Sequence, residues 1–154
     1  MVKVMATGTF DILHLGHIYF LKEAKKHGDI LAVVVATDST VRKLKHEPVN
    51  PEKIRLDLIK ELKIVDQAYL GYENDIYEIV KEIKPDIITL GYDQLHDEKT
   101  VEKELEKRNI NAKVIRLKDY KGGSDLEGTR KIISKIISAY EIQKTMERIE
   151  GKIK

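Results

Sequence analysis

The sequence of 154 residues has no cysteine, no tryptophan, only three prolines and no strong excess of charge of either sign. Without cysteine, the chain has no disulfides, thiolate metal sites or cysteine nucleophiles, and this composition suits a cytoplasmic protein. The formal net charge is +2, from 28 basic and 26 acidic residues, which gives no strong basic field for binding nucleic acid. We therefore expect no nucleic-acid partner.

Long hydrophobic runs are also missing. No apolar stretch approaches the roughly 18 residues that a bilayer-spanning helix needs. The first residues show neither the basic region nor the apolar region of a secretory signal. We therefore expect neither a membrane segment nor a cleaved signal.

Short apolar runs alternate with helical patterns along the chain. Strands are predicted at 2–7, 30–37, 67–71, 86–91 and 112–117, and helices at about 16–27, 51–62, 75–83, 98–108 and 127–148. The second strand is apolar almost throughout, as expected for a strand covered on both faces. The pattern predicts one α/β domain over 1–154, a Rossmann-like, doubly wound, parallel five-stranded sheet with helices on both faces.

Three segments that follow predicted strands carry most of the unusual residues. They read TGTFDILHLGH after the first strand, TDSTVRKLKHEP after the second and GYDQLHDE after the fourth. The carboxyl ends of the strands meet at one edge of a doubly wound sheet, where ligands bind. The phosphate-binding patterns GxGxxG and GxxxxGK[ST] do not occur in the sequence. A nucleotide would therefore be held in another way.

The first of these segments contains two histidines, His14 and His17, just before a predicted helix. The free N–H groups and dipole at a helix start favour an anion, and imidazoles beside it can donate hydrogen bonds to phosphate. Gly8 and Gly16 would let the backbone approach a ligand closely. The alternative is a pair of ordinary loop histidines. Asp11 alone does not complete the ligand set of a zinc site.

The stretch GTFDILHLGHIYFLKEAKKHGD resembles the nucleotidyltransferase superfamily, whose signature is a threonine-bearing loop followed by His-x-Gly-His. With VVVATDSTVRKLKHEPVNPEKIR, VDQAYLG and PDIITLGYDQ, the resemblance covers at least residues 1–94. It is greatest to the cytidylyltransferase-like branch and, within it, to the archaeal FAD synthases. The resemblance implies transfer of AMP from ATP to FMN, with Mg²⁺ or another divalent cation accompanying ATP. The alternatives are a cytidylyltransferase acting on glycerol 3-phosphate or another small alcohol phosphate, and a non-catalytic nucleotide-binding protein.

The resemblance also implies roles for single residues. The two histidines would hold the triphosphate and stabilise charge developing on it, and Thr9 would orient the acceptor phosphate. That phosphate is already ionised, so positioning and charge stabilisation carry the reaction without a covalent intermediate. The implied catalytic residues are His14, His17, Lys43, Lys45 and Arg130; the implied nucleotide-binding residues are Gly8, Thr9, Phe10, His14, Gly16, His17, Asp93, Gly128, Thr129 and Arg130; and the implied acceptor-binding residues are Thr9, Asp11, Arg55 and Tyr92.

Several of these assignments have structural alternatives. Lys43 and Lys45 are both candidates for one phosphate contact, and the run RKLK also suits a solvated basic turn. Arg55 could instead form an ion pair on a helix face, worth under about 1 kcal/mol. Asp93 would accept hydrogen bonds from a base or ribose, or would cap a helix.

The segment SDLEGTRKII matches the superfamily pattern only in part. The family has Ile-Ser-Ser/Thr-Thr-Lys/Arg at the start of a helix, whereas here Glu127 and Gly128 replace the hydroxyl residues. Phosphate contacts would then fall on the amides of Gly128 and Thr129 and on Arg130. The alternative is an ordinary helix start capped by Asp125.

Two further features concern packing. Tyr72 or Tyr77 would line a flavin pocket, although tyrosines on helix faces more often belong to a core or an interface. The last predicted helix carries an apolar stripe that exceeds what one core needs. We therefore expect a homodimer. The stripe consists of Ile132, Ile133, Ile136, Ile137 and Tyr140.

Overall fold

The computed structural model describes residues 1–44, 47–92, 97–118 and 128–151. All the predicted strands and helices are present, and their ends differ from the predicted ones by at most three residues. In chain order the elements are β1 (Lys3–Gly8), α1 (Leu15–Lys25), β2 (Ile30–Val35), α2 (Asp38–Leu44), α3 (Glu52–Lys60), β3 (Gln67–Leu70), α4 (Glu78–Ile83), β4 (Ile87–Leu90), α5 (Glu98–Lys107), β5 (Lys113–Arg116) and α6 (Thr129–Gly151).

The strands form one five-stranded sheet in the order β3-β2-β1-β4-β5. Every neighbouring pair is parallel. The chain runs outward from β1 to β2 and β3, and then returns to the other side of β1 for β4 and β5. The winding therefore reverses between β1 and β4, and the ligand crevice of such a sheet lies at their carboxyl ends. This topology confirms the predicted doubly wound, Rossmann-like fold.

Helices cover both faces of the sheet. Val4 of β1 belongs to a buried cluster with Leu21 of α1, and α3 packs on the same face. Met5, the next residue along β1, belongs to the opposite cluster with Ile79 of α4, and α5 packs there too. Successive side chains of a strand point to opposite faces, so a strand covered on both sides needs apolar residues throughout. The run ILAVVV of β2 meets this requirement.

Helix α2 lies in a segment that the sequence analysis treated as a loop, and that prediction was wrong. The Thr37 hydroxyl accepts a hydrogen bond from the Thr40 backbone N–H at 3.2 Å, and Asp38 lies in the first turn. A threonine cap followed by an acidic residue is a helix-start signal. Arg42 and Lys43 therefore lie in the last turn of a helix rather than in a basic turn.

Helix α6 is 23 residues long, and none of its residues is buried. Ile136, Ile137 and Tyr140 are 61, 51 and 61% exposed. Residue 127, where the predicted helix begins, lies outside the described residues. Among the described residues, no helix combines the length and the hydropathy that crossing a membrane requires.

Candidate active site

The loop between β1 and α1 begins with a buried turn. Phe10 has a positive φ of 51° and is 2% exposed. Its ring lies so close to Gly8 that a Cβ at that position would be 2.7 Å from the ring atom Cζ. Gly8 is therefore required by the packing of its own loop, and its predicted close approach to a ligand stays a prediction. Because Phe10 is buried, its ring packs within the protein, and its contact with the nucleotide stays a prediction.

The Phe10 ring supports the histidine pair. It meets His17 edge to face, with ring centroids 5.3 Å apart and planes at 63°. His17 in turn stacks on His14, with centroids 3.8 Å apart and planes at 24°. The loop thus sets both half-buried imidazoles together, as the HLGH pattern predicted.

The histidine pair lies at the start of α1. His14 occupies the N-cap position with an extended backbone, no side chain caps the helix end, and the first turn holds no acidic residue. Gly16 lies in this first turn. An 11-residue helix that starts in this way presents backbone N–H groups and the positive end of its dipole. The position suits an anion, as the sequence predicted.

Asp11 was expected to bind the acceptor, and in the structure its polar groups contact the turn before α3. Its side chain is 3% exposed, and its two carboxylate oxygens accept hydrogen bonds from the backbone N–H groups of Val49 and Asn50, at 2.8 and 2.7 Å. The Asn50 side chain donates back to the Asp11 carbonyl at 2.6 Å. Asp11 therefore ties the histidine loop to the turn before α3, and its carboxylate is already occupied.

Arg55 is also engaged by groups of the protein itself. Its side chain is fully buried, and its guanidinium donates to the Thr9 carbonyl at 2.7 Å and to the Asn50 carbonyl at 2.9 Å. It also forms an ion pair with Asp38 at 2.7 Å. The sequence left two roles open for Arg55, a contact with the acceptor and an exposed ion pair on a helix face. The observed pair is buried and joins α3 to α2, so Arg55 positions Thr9 through its carbonyl.

The electrostatics of Asp38 follow from this contact. Burial by itself would raise the pKa of the Asp38 carboxyl, but the hydrogen bond and the charge of Arg55 outweigh it. The net result is a pKa below the usual range. Asp38 is therefore held ionised at the start of α2, where a negative charge also complements the helix dipole.

The basic residues of α2 divide into separate roles. Arg42 is engaged by Glu47, which accepts hydrogen bonds from its Nε at 2.7 Å and its Nη2 at 2.8 Å. Lys43 is exposed in the last turn. Lys45 lies outside the described residues. Lys43 therefore stays a candidate for the phosphate contact, and Arg42 belongs to a surface ion pair.

The remaining predicted residues lie at two other positions. Tyr92 follows β4 and is 57% exposed, whereas Asp93 lies outside the described residues. Gly128 precedes α6, and its carbonyl accepts a hydrogen bond from the Ile132 N–H at 3.1 Å. Thr129 and Arg130 begin α6. Asp125 and Glu127, on which the alternative for this helix start depends, also lie outside the described residues.

A cavity of about 180 Å³ opens at the same edge of the sheet, on the face covered by α4 and α5. Its lining includes Thr9 from the histidine loop and Thr40 from α2. Tyr72 and Tyr77 also line it, which supports the prediction that they are pocket residues rather than residues of a core or an interface. Gly8, also predicted from the sequence, lines it as well, whereas the remaining lining residues come from separate strands and helices and carry no sequence signal.

Comparisons with known proteins agree with this architecture. A family model described as cytidylyltransferase-like matches residues 5–148. The FAD synthase of Aciduliprofundum boonei is 60% identical over 137 residues, which are 89% of this chain and 91% of that protein. The FAD synthase of Methanothermus fervidus is 58% identical over 135 residues, covering 86% of this chain and 92% of that protein.

Two solved structures are also similar. A crystal structure described as a lipopolysaccharide core biosynthesis protein from Thermoplasma volcanium GSS1 has a TM-score of 0.77 at 55% identity, covering 79% of this chain and 99% of that one. Pantoate-beta-alanine ligase from Francisella tularensis has a TM-score of 0.56 at 18% identity, covering 81% of this chain and 61% of that one, which shows the fold alone. The family model spans most of the chain, and the relatives exceed half identity over most of their own length. The chain therefore belongs to the cytidylyltransferase-like family.

Proposed function

We propose that this chain is an FMN adenylyltransferase, which transfers AMP from ATP to FMN and releases FAD and pyrophosphate. The observation that carries the proposal is the stacked pair of His14 and His17 at the uncapped start of α1. This pair lies where the loop that follows β1 meets α1, at the edge where the sheet reverses its winding. The choice of ATP and FMN is supported by relatives named FAD synthase at 60 and 58% identity.

The proposed reaction is one displacement at the α-phosphorus of ATP. An oxygen of the FMN phosphate forms a bond to this phosphorus, the bond between the α-phosphorus and its bridging oxygen breaks, and pyrophosphate leaves with the electron pair. The attacking oxygen is already ionised, so no protein base is needed. His14 and His17 would donate hydrogen bonds that strengthen as charge develops on the phosphates.

Other residues would complete the site. Thr9 would orient the acceptor phosphate, with its carbonyl fixed by Arg55 at 2.7 Å. Lys43, exposed at the end of α2, would reach the phosphates, and Tyr92 would contact a ring. The amides of Gly128 and Thr129 with Arg130 would form a second anion contact. The roles of Lys45 and Asp93 stay predictions from the sequence.

We propose that a divalent cation such as Mg²⁺ enters bound to ATP. Magnesium keeps several waters and prefers substrate phosphates with few protein ligands. The carboxylate of the histidine loop, Asp11, is occupied by two backbone N–H groups. Within the described residues, no group of three or more His, Cys, Asp or Glu side chains is arranged to hold a metal. The cation would therefore be part of the substrate.

The activity is tested by incubating the protein and Mg²⁺ with each pairing of ATP or CTP and FMN or glycerol 3-phosphate. Pyrophosphate release and FAD formation are then measured. We expect both with ATP and FMN. Pyrophosphate release only with CTP and glycerol 3-phosphate would replace this function with that of a small-alcohol cytidylyltransferase. If ATP binds but no pair yields pyrophosphate, the chain is a nucleotide-binding protein instead. The similar Thermoplasma volcanium structure is described as a lipopolysaccharide core biosynthesis protein and not as an FAD synthase. The two acceptors are therefore compared directly in this assay.

We further propose that the chain is a homodimer in which α6 pairs with α6 of a second copy. The helix buries no residue, and its exposed apolar side chains include Ile136, Ile142 and Met146. Its first half, 129–140, carries three cations and no anion, whereas its second half, 141–151, carries three glutamates and two cations and has a net charge of −1. An antiparallel pair would place these opposite charges together.

Sedimentation velocity tests the dimer. We expect a dimer for the native chain and a monomer when Ile136 and Ile142 are replaced by glutamate. A native chain that sediments as a monomer at micromolar concentration would contradict the proposal. That residues 1–154 act as one domain and that the protein works in the cytoplasm stay predictions of the sequence.

A further inference from the structure

We infer that the cavity on the α4 and α5 face binds the dimethylbenzene end of a flavin ring, and that Tyr72 stacks on the part of the ring that stays outside. The inference deepens the proposed function and rests on it, because FMN is the flavin concerned. It assigns a ring-binding site that adjoins the phosphate-binding loop at Thr9.

The size of the cavity fits one substituted benzene ring. Its volume is about 180 Å³, and an apolar protein cavity of about 150 Å³ is large enough to bind benzene. The complete three-ring system of a flavin is larger than one such ring. Only its end ring would therefore enter the cavity.

The chemistry of the cavity also favours this ring. Its floor is aliphatic and includes Val34, Ile79 and Ile88, which are 5, 3 and 3% exposed. Four threonines and two tyrosines also line the cavity, and no charged side chain among the described residues does. A purine or pyrimidine would lose hydrogen bonds to water on such a floor, at a cost of a few kcal/mol. The dimethylbenzene end of a flavin has no polar atoms, so it gains from the same transfer.

The cavity is correctly placed for an acceptor whose phosphate lies at the histidine loop. Thr9 lines the cavity, and the next residue, Phe10, contacts His17 at 5.3 Å between centroids. Phe10 itself packs in the core of the opposite face. The loop therefore separates the imidazole pair from the cavity. FMN would place its ionised phosphate at the histidine loop and its apolar ring in the cavity, whereas glycerol 3-phosphate has nothing to fill the floor.

Tyr72 is suited to cover the ring. It lines the cavity and is 47% exposed, and its hydroxyl donates a hydrogen bond to Glu82 at 3.0 Å. The hydrogen bond restrains an exposed aromatic ring at the edge of an apolar cavity. Such a ring is a stacking surface that tolerates any planar partner.

Direct binding measurements test the site without depending on turnover. FMN binding is followed by the change in flavin fluorescence, and ATP binding by titration calorimetry. Ala36 lines the cavity, so Ala36→Leu should fill part of it and weaken FMN binding roughly tenfold or more, while leaving ATP binding unchanged. Ala36→Ser is the matched control, because it keeps the cavity open. We expect near-native FMN binding for that variant.

Tyr72 supplies an independent pair of variants. Tyr72→Ala should weaken FMN binding roughly tenfold, and Tyr72→Phe should keep most of it because the ring remains. If Ala36→Leu does not fold, this pair decides the inference. FMN binding within twofold of native in both Ala36→Leu and Tyr72→Ala would overturn the inference while FAD formation still supported the proposed function. Failure of the native protein both to bind FMN and to form FAD would overturn the function itself.

Discussion

The buried guanidinium of Arg55 gives the most quantitative prediction. Its side chain has no exposure to solvent, and it connects Thr9, Asn50 and Asp38 at 2.7, 2.9 and 2.7 Å. These partners belong to the histidine loop, the turn before α3 and the start of α2. Replacing Arg55 with leucine would keep an apolar body but remove all three contacts.

The magnitude follows from what is left behind. Removing one member of a buried ion pair typically costs about 3–5 kcal/mol, because the other charge loses its partner. The Asp38 side chain is 19% exposed, so water can relieve part of this cost. Two carbonyl oxygens also lose a donor, but such contributions within one network do not add. We expect Arg55→Leu to lower the free energy of unfolding by about 3 kcal/mol.

Urea denaturation followed by circular dichroism measures this change. With a slope of about 2 kcal/mol per molar urea, the midpoint should fall by about 1.5 M. Arg55→Lys keeps the charge but not the planar fork, so it should recover only part of the loss. The double variant Arg55→Leu with Asp38→Asn should lose less than the two single variants together, because no unpaired charge remains.

The same variants separate a positioning role from direct acceptor binding. A positioning role predicts a large loss of stability together with a lower turnover number. An unchanged urea midpoint with a raised KM for FMN alone would refute the reasoning, and would return Arg55 to the acceptor contact that the sequence first indicated.

Three further predictions concern the histidine loop and α2. His17→Ala should lower turnover by about two to three powers of ten while leaving folding intact, since its imidazole acts on developing charge; a rate within fivefold of native would remove it from the site. Gly8→Ala should destabilise the protein by about 1–3 kcal/mol in urea, because its Cβ would lie 2.7 Å from the Phe10 ring. Gly151→Ala is the control, because a Cβ at that position would have no atom within 4 Å. Equal urea midpoints for the Gly8→Ala and Gly151→Ala variants would contradict the packing argument. The pKa of Asp38 is held below its ordinary value of 3.8, so its stabilisation is present above that pH and is lost as the pH falls through the lower folded value. Asp38→Asn should therefore flatten the decline in unfolding free energy below about pH 4, and a decline as steep as the native one would contradict the sign.

The sequence by itself determined the order and type of most elements. Apolar residues with a period of two, or in a continuous run, predicted the strands, and amphipathic spacing predicted the helices. These patterns reflect which faces of an element are covered by the rest of the protein. The alternation of the two then fixed a parallel sheet and placed the loop with His14 and His17 at its ligand-binding edge. The exception is α2, whose start signal at Thr37 and Asp38 is short and is followed by a basic run that also suits a turn.

Only the tertiary structure decided what several polar side chains do. Asp11 contacts Val49 and Asn50, which lie 38 and 39 positions further along the chain. Arg55 donates to the Thr9 carbonyl, 46 positions away. No local sequence pattern therefore indicates either contact. The same is true of Gly8, whose requirement comes from a neighbouring ring folded back upon it. The cavity beside Tyr72 likewise arises from separate strands and helices. Periodicity specifies which way a side chain faces, whereas its partner is specified by the packing of elements that are distant in the chain.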